Sequence, residues 1–284
     1  MQIKKVLVVG LGSMGTGIAQ VAAQSGFQVA AVDVDEALLA RTTAIIEASL
    51  TKLVSKHKLT AEAREAAWKN LKMTTCLEEA ALDCDLAVEA VFENLELKQE
   101  LFGKLDVYCP KEAILASNTS SLPVTSLAAA TRRPGQVIGM HFMNPVPLMR
   151  GVELIKGRLT SATTLAAARE FVEKLGKVPV EALDYPGFVV SRVLDVMMNE
   201  AVYCVMEGNK PEEIDKGMKE CTNMPMGPLE LIDLAGADIL LNVMDLLHRE
   251  LGDKYRAAPL LRQMVRAGHC GRKSGRGFYD YTKK

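Results

Sequence analysis

The sequence predicts an α/β fold with a mostly parallel sheet and a helical arm, followed by an all-α C-terminal domain. In the first two thirds of the chain, short apolar runs alternate with segments of helical periodicity, which is the pattern of βαβ units. The first run, KVLVVG, leads directly into a glycine-rich turn. Beyond Pro186-Gly187 only helical runs recur. These three observations indicate the fold class and the order of its parts.

The predicted strands are the apolar runs that are too short to be helices. They cover residues 5–10, 28–33, 86–91, 113–118 and 136–142. Between two of them, residues 95–105 have the periodicity of an amphipathic helix. Residues 36–71 are too long for a simple crossover, and they predict two helices, broken near Leu59-Thr60, that form the arm.

A domain boundary is predicted at DYPGF, residues 184–188, where Pro-Gly interrupts the pattern. The domains are then 1–185 and 186–284. The second contains two strongly apolar helical runs, FVVSRVLDVMMNEAVYCVMEG and PLELIDLAGADILLNVMDLLHREL. So much apolar surface predicts that this domain packs against a second copy in a homodimer. The alternative is that it covers only its own core.

Composition narrows the ligand class and the compartment. The chain has 284 residues, 49% of them hydrophobic, and its formal net charge of −1 gives no general basic surface for nucleic acid. No uncharged apolar run approaches the roughly 18 residues that cross a bilayer, and the N-terminal run is too short for a signal peptide. Six cysteines without CxxC spacing indicate reduced thiols in a cytoplasmic protein, and neither a disulfide framework nor a metal site.

The glycine spacing Gly10-x-Gly12-x-x-Gly15 predicts a nucleotide site. Alone the spacing is weak, but here it follows a strand and opens an amphipathic helix, so a Rossmann-type domain is predicted. Gly10 permits the tight turn, Gly12 admits a pyrophosphate, and Gly15 lets the helix pack on the sheet. The helix N-terminus offers free N–H groups to phosphates. The expected cofactor contacts in this turn are Gly10, Leu11, Gly12, Ser13, Met14 and Gly15.

The identity of the nucleotide is predicted from Asp33, which ends the next strand and can accept hydrogen bonds from an adenosine ribose. A carboxylate at this position repels a 2′-phosphate, and no arginine follows until Arg41. The predicted cofactor is therefore NAD and not NADP. The alternative for Asp33 is a helix cap, although Asp35, just before EALLAR, suits that role better.

A second polar cluster lies in ASNTSSLP, residues 116–123, at the carboxyl end of a later strand. Each residue from Ser117 to Ser121 carries a hydroxyl or an amide. Strand ends of this kind line the ligand crevice of open α/β sheets. Capping of a helix that begins near Leu122 explains only one hydroxyl, so the cluster predicts groups that orient a substrate oxygen.

His141, one of four histidines, also ends a predicted strand. A single histidine is ordinarily structural, but this position predicts a base that takes a hydroxyl proton as hydride leaves carbon. After the Asn144-Pro145-Val146-Pro147 turn, GVELI is expected to return as a strand. Glu153 is then expected to accept a hydrogen bond from the second ring nitrogen and to stabilise the imidazolium.

Seven stretches across nearly the whole chain are more specific than the glycine spacing: GLGSMGTGIAQ, VEAVFENLELKQELF, SNTSSL, HFMNPVPLMRGVELI, PGFVVSR, MGPLELIDLAG and GRKSGRGFYDY. Together they resemble the L-3-hydroxyacyl-CoA dehydrogenases, and within that family the bacterial stand-alone 3-hydroxybutyryl-CoA dehydrogenases. The resemblance implies that Ser120, His141 and Glu153 form the catalytic group. It also implies NAD contacts at Glu93, Lys98, Asn118, Asn144 and Lys273, with Asn118 and Ser120 also facing the substrate. Without the resemblance, Glu93 and Lys98 would be interpreted as a solvated pair at a helix start, and Lys273 would have no assigned role.

The resemblance further assigns Ser49 and Lys56 to coenzyme A. By spacing, Ser49, Lys52 and Lys56 share one helix face, and a chain of near-zero net charge needs such a local patch to bind phosphates. The alternative is a solvated lysine face. One position departs from the family: Ser191 replaces the asparagine of PGF(V/I)VNR, so the polar role of that asparagine at the substrate does not carry over intact. The alternative is that Ser191 merely occupies a helix face.

The resemblance therefore implies NAD-dependent, reversible oxidation of (S)-3-hydroxyacyl-CoA, expected to be 3-hydroxybutyryl-CoA, to the 3-oxoacyl-CoA. One alternative is a related dehydrogenase that acts on a free hydroxy acid, such as a sugar acid or carnitine. The arm and the NPVPLMRGVELI motif argue against it. Another is a non-catalytic NAD-binding protein of the same fold, against which His141 and Glu153 argue, while Ser191 leaves it open.

Overall fold

The computed structural model describes residues 2–282 of the chain. The chain divides into two compact units, Met1–Asp184 and Tyr185–Lys284. The first unit is a mostly parallel sheet covered by helices and the second is helical, which confirms the predicted fold class. Among residues 2–282, no helix has the length and apolar character that crossing a membrane requires.

One eight-stranded sheet forms the centre of the first unit. Its strands are β1 (Lys5–Val9), β2 (Gln28–Val32), β3 (Leu71–Thr74), β4 (Leu86–Glu89), β5 (Ile114–Ser117), β6 (Val137–Phe142), β7 (Gly151–Lys156) and β8 (Val178–Leu183). They lie in the order β3-β2-β1-β4-β5-β6-β7-β8. Neighbours from β3 to β6 are parallel, β7 is antiparallel to β6, and β8 is parallel to β7. The carboxyl ends of β1 to β6 therefore meet at one edge, beside the start of β7.

All five apolar runs that were predicted as strands form strands, and GVELI returns as β7. The strands β3 and β8 are not among the predicted strands. These two are the edge strands, and most of their residues are partly exposed. A strand that is buried on both faces gives a continuous apolar run, whereas an edge strand does not. The missed strands are therefore those with the weakest sequence signal.

Seven helices belong to the first unit: α1 (Ser13–Gln24), α2 (Glu36–Ser55), α3 (Ala61–Lys69), α4 (Leu77–Ala81), α5 (Leu95–Tyr108), α6 (Val124–Ala128) and α7 (Ala162–Lys174). Helices α2 and α3 occupy the predicted arm, and the break between them includes Leu59. Asp35 caps α2 by accepting from the Ala37 N–H at 2.8 Å, and Thr60 caps α3 by accepting from the Ala63 N–H at 3.1 Å. The start of each arm helix is thus capped by a side chain.

The second unit consists of five helices: α8 (Val190–Met206), α9 (Pro211–Thr222), α10 (Pro228–Ala235), α11 (Ala237–Leu251) and α12 (Pro259–Arg266). Their shared apolar core includes Val202, Ile232 and Met244. The buried Asp215 joins three parts of this unit. Its carboxylate accepts hydrogen bonds from the Leu229 N–H (2.8 Å), the Glu230 N–H (2.9 Å) and the Tyr279 hydroxyl (2.6 Å).

We expect Asp215→Ala to lower the free energy of unfolding by about 2 to 4 kcal/mol, because it leaves buried donors without an acceptor. Denaturant titration followed by circular dichroism measures this change. Glu213→Ala, on the exposed side of the same helix, is the matched control and should leave stability almost unchanged. Equal stability of the two variants would contradict the structural role of Asp215.

Candidate active site

The glycine-rich turn lies between β1 and α1. Gly10 has φ 92°, and a Cβ at Gly15 would come within 1.8 Å of the Gly10 carbonyl oxygen, so neither position accepts a side chain. A Cβ at Gly12 would meet nothing within 4 Å, which leaves open space before α1. Gly12 is the N-cap of α1 and brings no side chain to bond the first N–H groups. This cradle fits a pyrophosphate, with Ser13 exposed at its edge.

Asp33 lies beside this cradle, at the carboxyl end of β2. Its Oδ2 accepts a hydrogen bond from the Leu11 N–H at 2.7 Å, which ties the carboxylate to the turn. Asp35, and not Asp33, caps α2. The alternative role of Asp33 as the helix cap is therefore wrong. A half-buried carboxylate next to the turn fits the hydroxyls of an adenosine ribose.

A cluster of three charged side chains lies at the carboxyl end of β4. Lys98 Nζ is 2.8 Å from Glu89 Oε1 and 3.0 Å from Glu93 Oε2. Lys98 is only 1% exposed, so the interpretation of Glu93 and Lys98 as a solvated pair is wrong. Burial by itself would raise the pKa of Glu93. The positive charge of Lys98 and hydrogen bonds from Thr119, Lys98 and the Ser120 N–H outweigh burial and hold that pKa below its usual range.

Sequence reasoning missed Glu89, the third member of this cluster. It is completely buried. Besides Lys98, it accepts hydrogen bonds from the Ser117 hydroxyl at 2.7 Å and the Val91 N–H at 2.7 Å. An acidic residue in a buried strand needs a partner for its charge. The single carboxylate inside the apolar run LAVEAV was therefore the signal that could have indicated this cluster.

The polar loop that follows β5 is held by these two glutamates. Glu93 Oε1 accepts hydrogen bonds from the Thr119 hydroxyl, the Ser120 N–H (3.2 Å) and the Ser121 hydroxyl (3.2 Å). Thr119 Oγ1 in turn accepts from the Leu122 N–H at 2.8 Å. The N-cap of α6 is Pro123, and Asp184 accepts from the Val124 and Thr125 N–H groups, so the alternative that the loop hydroxyls cap this helix is wrong. The loop therefore has a fixed conformation that is set by charged neighbours.

Asn118 and Ser120 lie in this loop, and both are half-buried. Asn118 Oδ1 accepts a hydrogen bond from the Phe142 N–H at 2.9 Å, which ties the loop to the end of β6. Phe142 directly follows His141. The carboxyl ends of β5 and β6 are thus brought together where the sequence predicted a substrate-orienting cluster.

His141 and Glu153 face each other across the antiparallel β6–β7 pair. His141 Nδ1 lies 2.8 Å from Glu153 Oε2, so the expected hydrogen bond is present. The carboxylate is 1% exposed and the histidine 8% exposed. In the neutral ring, a proton held on Nδ1 by this carboxylate leaves the lone pair on Nε2. The pair can therefore take up a proton at Nε2 while Glu153 compensates the resulting charge.

The remaining candidates in the first unit lie in two places. Asn144 is exposed in the turn after β6. Ser49 lies on α2, where its hydroxyl accepts a hydrogen bond from Gln20 Nε2 at 2.9 Å. Lys52 and Lys56 are exposed on the following turns, with Lys56 as the C-cap of α2. Both lysines of the predicted basic face are therefore open to solvent, and the contact of this face with coenzyme A stays a prediction.

Two candidates belong to the second unit. Lys273 is exposed, and its Nζ lies 2.6 Å from the Asp238 carboxylate. Ser191 is half-buried in the first turn of α8.

Comparison with known proteins covers both units. The sequence profile of the 3-hydroxyacyl-CoA dehydrogenase NAD-binding domain matches residues 5–185, and that of the C-terminal domain of the same family matches residues 187–281. A probable 3-hydroxybutyryl-CoA dehydrogenase of Deinococcus radiodurans is 55% identical over 276 residues, which are 96% of this chain and 99% of that protein. The 3-hydroxybutyryl-CoA dehydrogenase of Bradyrhizobium diazoefficiens is 49% identical over 281 residues, which are 98% of this chain and 96% of that protein.

Comparison with solved structures indicates the same family. The crystal structure of (S)-3-hydroxybutyryl-CoA dehydrogenase from Ralstonia eutropha matches with a TM-score of 0.95 and 45% identity, and the match covers 99% of this chain and 100% of that chain. These matches cover nearly the whole chain, and the glycine cradle and Asp33 lie within the part that matches the NAD-binding domain. It belongs to the 3-hydroxyacyl-CoA dehydrogenase family, a family of NAD-dependent oxidoreductases.

Proposed function

We propose that this protein catalyses the reversible oxidation of (S)-3-hydroxybutyryl-CoA to acetoacetyl-CoA with NAD. The observation that carries the proposal is the buried His141–Glu153 pair at the carboxyl end of β6, on the same sheet edge as the glycine cradle. A base at that position is what alcohol oxidation by hydride transfer requires. The names of the relatives support a short acyl chain.

The residues of the first unit divide the work of cofactor binding. The N–H groups at the start of α1 hold the pyrophosphate, and Asp33 accepts hydrogen bonds from the adenosine ribose. When bound, NAD supplies the hydride acceptor for oxidation and the hydride donor for reduction. Further contacts are assigned to Glu93, Lys98, Asn118 and Asn144 of this unit, and one contact is assigned to Lys273 of the second unit.

His141 moves the proton. In oxidation, Nε2 takes the proton of the substrate hydroxyl, and in reduction the imidazolium returns it to the carbonyl oxygen. Glu153 keeps the other proton on Nδ1 and stabilises the imidazolium, since a carboxylate at 2.8 Å is the nearest compensating charge. Ser120 and Asn118 position the reacting oxygen, and Ser191 takes the place of the family asparagine, with a water bridging the shorter side chain.

The arm is assigned to the coenzyme A portion of the substrate. Ser49, Lys52 and Lys56 form a local cationic and hydroxyl face on a chain whose net charge is −1. Phosphates are bound by such a patch without any change at the reacting carbon. The arm therefore contributes to substrate affinity more than to the chemical step.

The second unit is assigned to dimerisation. Several large apolar side chains are exposed on its surface, namely Val193, Met206, Leu234 and Ile239. Covering them by a second copy removes this apolar surface from water, which favours a homodimer. All six cysteines are free thiols, which fits a reducing, cytoplasmic compartment.

The function is tested by following NADH oxidation with acetoacetyl-CoA and with free acetoacetate as substrates. We expect rapid turnover of the thioester and little of the free acid. Preference for the free acid would indicate a dehydrogenase of free hydroxy acids. Absence of turnover with acetoacetyl-CoA and with longer 3-oxoacyl-CoA esters would indicate a non-catalytic protein.

Asp33 sets the cofactor preference. We expect kcat/KM to be much higher with NADH than with NADPH, and Asp33→Ala to narrow this ratio, because it removes both the ribose contact and the repulsion of a 2′-phosphate. Asp35→Ala removes the neighbouring carboxylate and should leave the ratio unchanged. Equal kcat/KM values for the two cofactors in the unmodified protein would refute the assignment.

Lys56 binds a remote phosphate of the substrate. We expect Lys56→Ala to raise KM for acetoacetyl-CoA severalfold with little effect on kcat. The same variant should show no change with acetoacetyl-pantetheine, which lacks the phosphates. Lys104→Ala, which removes a charge from α5, is the control. A rise in KM for NADH alone would show that the lysine serves the other ligand.

The proton-transfer role of His141 is tested by measuring kcat. We expect His141→Ala to lower kcat by roughly 10²- to 10⁴-fold, while the Kd for NADH stays nearly constant. Glu153→Gln should lower kcat less, because an amide still bonds the ring but does not neutralise the imidazolium. His248→Ala, which removes a half-buried histidine of the second unit, is the control. A near-normal kcat in His141→Ala would make His141 a structural residue.

A further inference from the structure

Glu89 is a buried carboxylate whose partners are all protein groups. It has Lys98 at 2.8 Å, the Ser117 hydroxyl at 2.7 Å and the Val91 N–H at 2.7 Å. Ser117 precedes the loop that carries Asn118 and Ser120. Glu89 therefore fixes both a lysine that is assigned to the cofactor and the start of the substrate-orienting loop, without an assigned contact to either ligand.

The cluster of Glu89, Lys98 and Glu93 carries one net negative charge. Two carboxylates share a single lysine, and among the described residues no other cation lies within ion-pair distance of either carboxylate. The side chains of Glu89 and Lys98 are 0% and 1% exposed, so solvent screens their charges weakly, whereas the Glu93 side chain is 37% exposed and its charge is screened more. Such an arrangement is costly to bury and is a weak source of stability, which points to a role at the site.

The sheet register places this cluster close to the reacting atoms. Glu89 lies opposite Ser117 in the β4–β5 pair, and Ser117 lies opposite Gly139 in the β5–β6 pair. His141 follows two residues later along β6. With strands about 4.8 Å apart and about 3.3 Å per residue, the Cα atoms of Glu89 and His141 are roughly 12 Å apart. A nicotinamide bound close enough to exchange hydride with a substrate at His141 would therefore lie at the same sheet edge as this cluster.

We propose that Glu89 is a positioning residue that also biases the site toward the oxidised cofactor, through the net negative charge of the Glu89–Lys98–Glu93 cluster. The proposal rests on the proposed function, because it requires a nicotinamide at this edge of the sheet. The oxidised nicotinamide ring is positively charged and the reduced ring is neutral. A negative cluster attracts the first and leaves the second unaffected, so it lowers Kd for NAD⁺ relative to Kd for NADH.

The test is the ratio of the two dissociation constants, measured by calorimetric titration of the full-length protein without acyl-CoA. Glu89→Gln neutralises the cluster. From Coulomb's law at this distance, we expect it to shift the ratio toward NADH by roughly 3- to 10-fold. The double variant Glu89→Gln/Lys98→Met restores one net negative charge, and its ratio should return toward that of the unmodified protein even though both affinities fall.

Two controls separate charge from structure. Ser117→Ala removes a hydrogen bond from Glu89 without a change in charge, and Glu100→Gln removes a charge from the exposed face of α5. Neither should change the ratio. A purely structural Glu89 would weaken both cofactor forms equally, so an unchanged ratio in Glu89→Gln would overturn the proposal.

Two further outcomes are distinguishable. If Glu89→Gln does not fold, Glu93→Gln removes one negative charge from the same cluster. The ratio of its Kd values for NAD⁺ and NADH should then shift toward NADH, and an unchanged ratio would overturn the proposal. If the unmodified protein binds neither NAD⁺ nor NADH, the proposed function itself is wrong, and the proposal about Glu89 falls with it.

Discussion

The site depends on the register of one antiparallel strand pair. In β6 and β7, His141 and Glu153 are directly opposite, so both side chains lie on the same face and within hydrogen-bond reach. A shift of one residue would turn Glu153 to the other face of the sheet and break its hydrogen bond with the buried His141. The cost of breaking this bond is what makes this register specific. It also explains why the pair is buried although both members are polar.

The turn that joins this strand pair also connects His141 to the helix that begins at the glycine-rich turn. The turn between β6 and β7 packs Val146 against α1, where a Cβ at Gly17 would come within 2.7 Å of the Val146 Cβ. Helix α1 therefore begins at the glycine-rich turn and packs on its side against the turn between β6 and β7. On the opposite side of β6, Asn118 accepts a hydrogen bond from the Phe142 N–H, and the buried Glu89 and the more exposed Glu93 hold the loop of Asn118.

Sequence reasoning succeeded where a local pattern and a chemical requirement coincided. The five buried strands gave continuous apolar runs, and the return of GVELI opposite His141 followed from the rigid turn between them. The sequence did not predict the burial of residues whose environment is formed by tertiary packing. Lys98 looks like an ordinary lysine at a helix start, and only the fold shows that it is buried and paired with Glu89 of β4. Glu89 lies within an apolar run that predicts a strand but no charged cluster. The edge strands β3 and β8 have no strong periodicity, so their sequences do not predict them.

The central claim is that His141 and Glu153 act as one unit, in which Glu153 works only through His141. The most direct test is a double-mutant cycle on kcat for acetoacetyl-CoA reduction, with His141→Ala, Glu153→Gln and the double variant. The account predicts that the double variant is no slower than His141→Ala, because without the imidazole the carboxylate has nothing to orient. If the two losses multiply in the double variant, Glu153 acts independently of His141 and the account is contradicted.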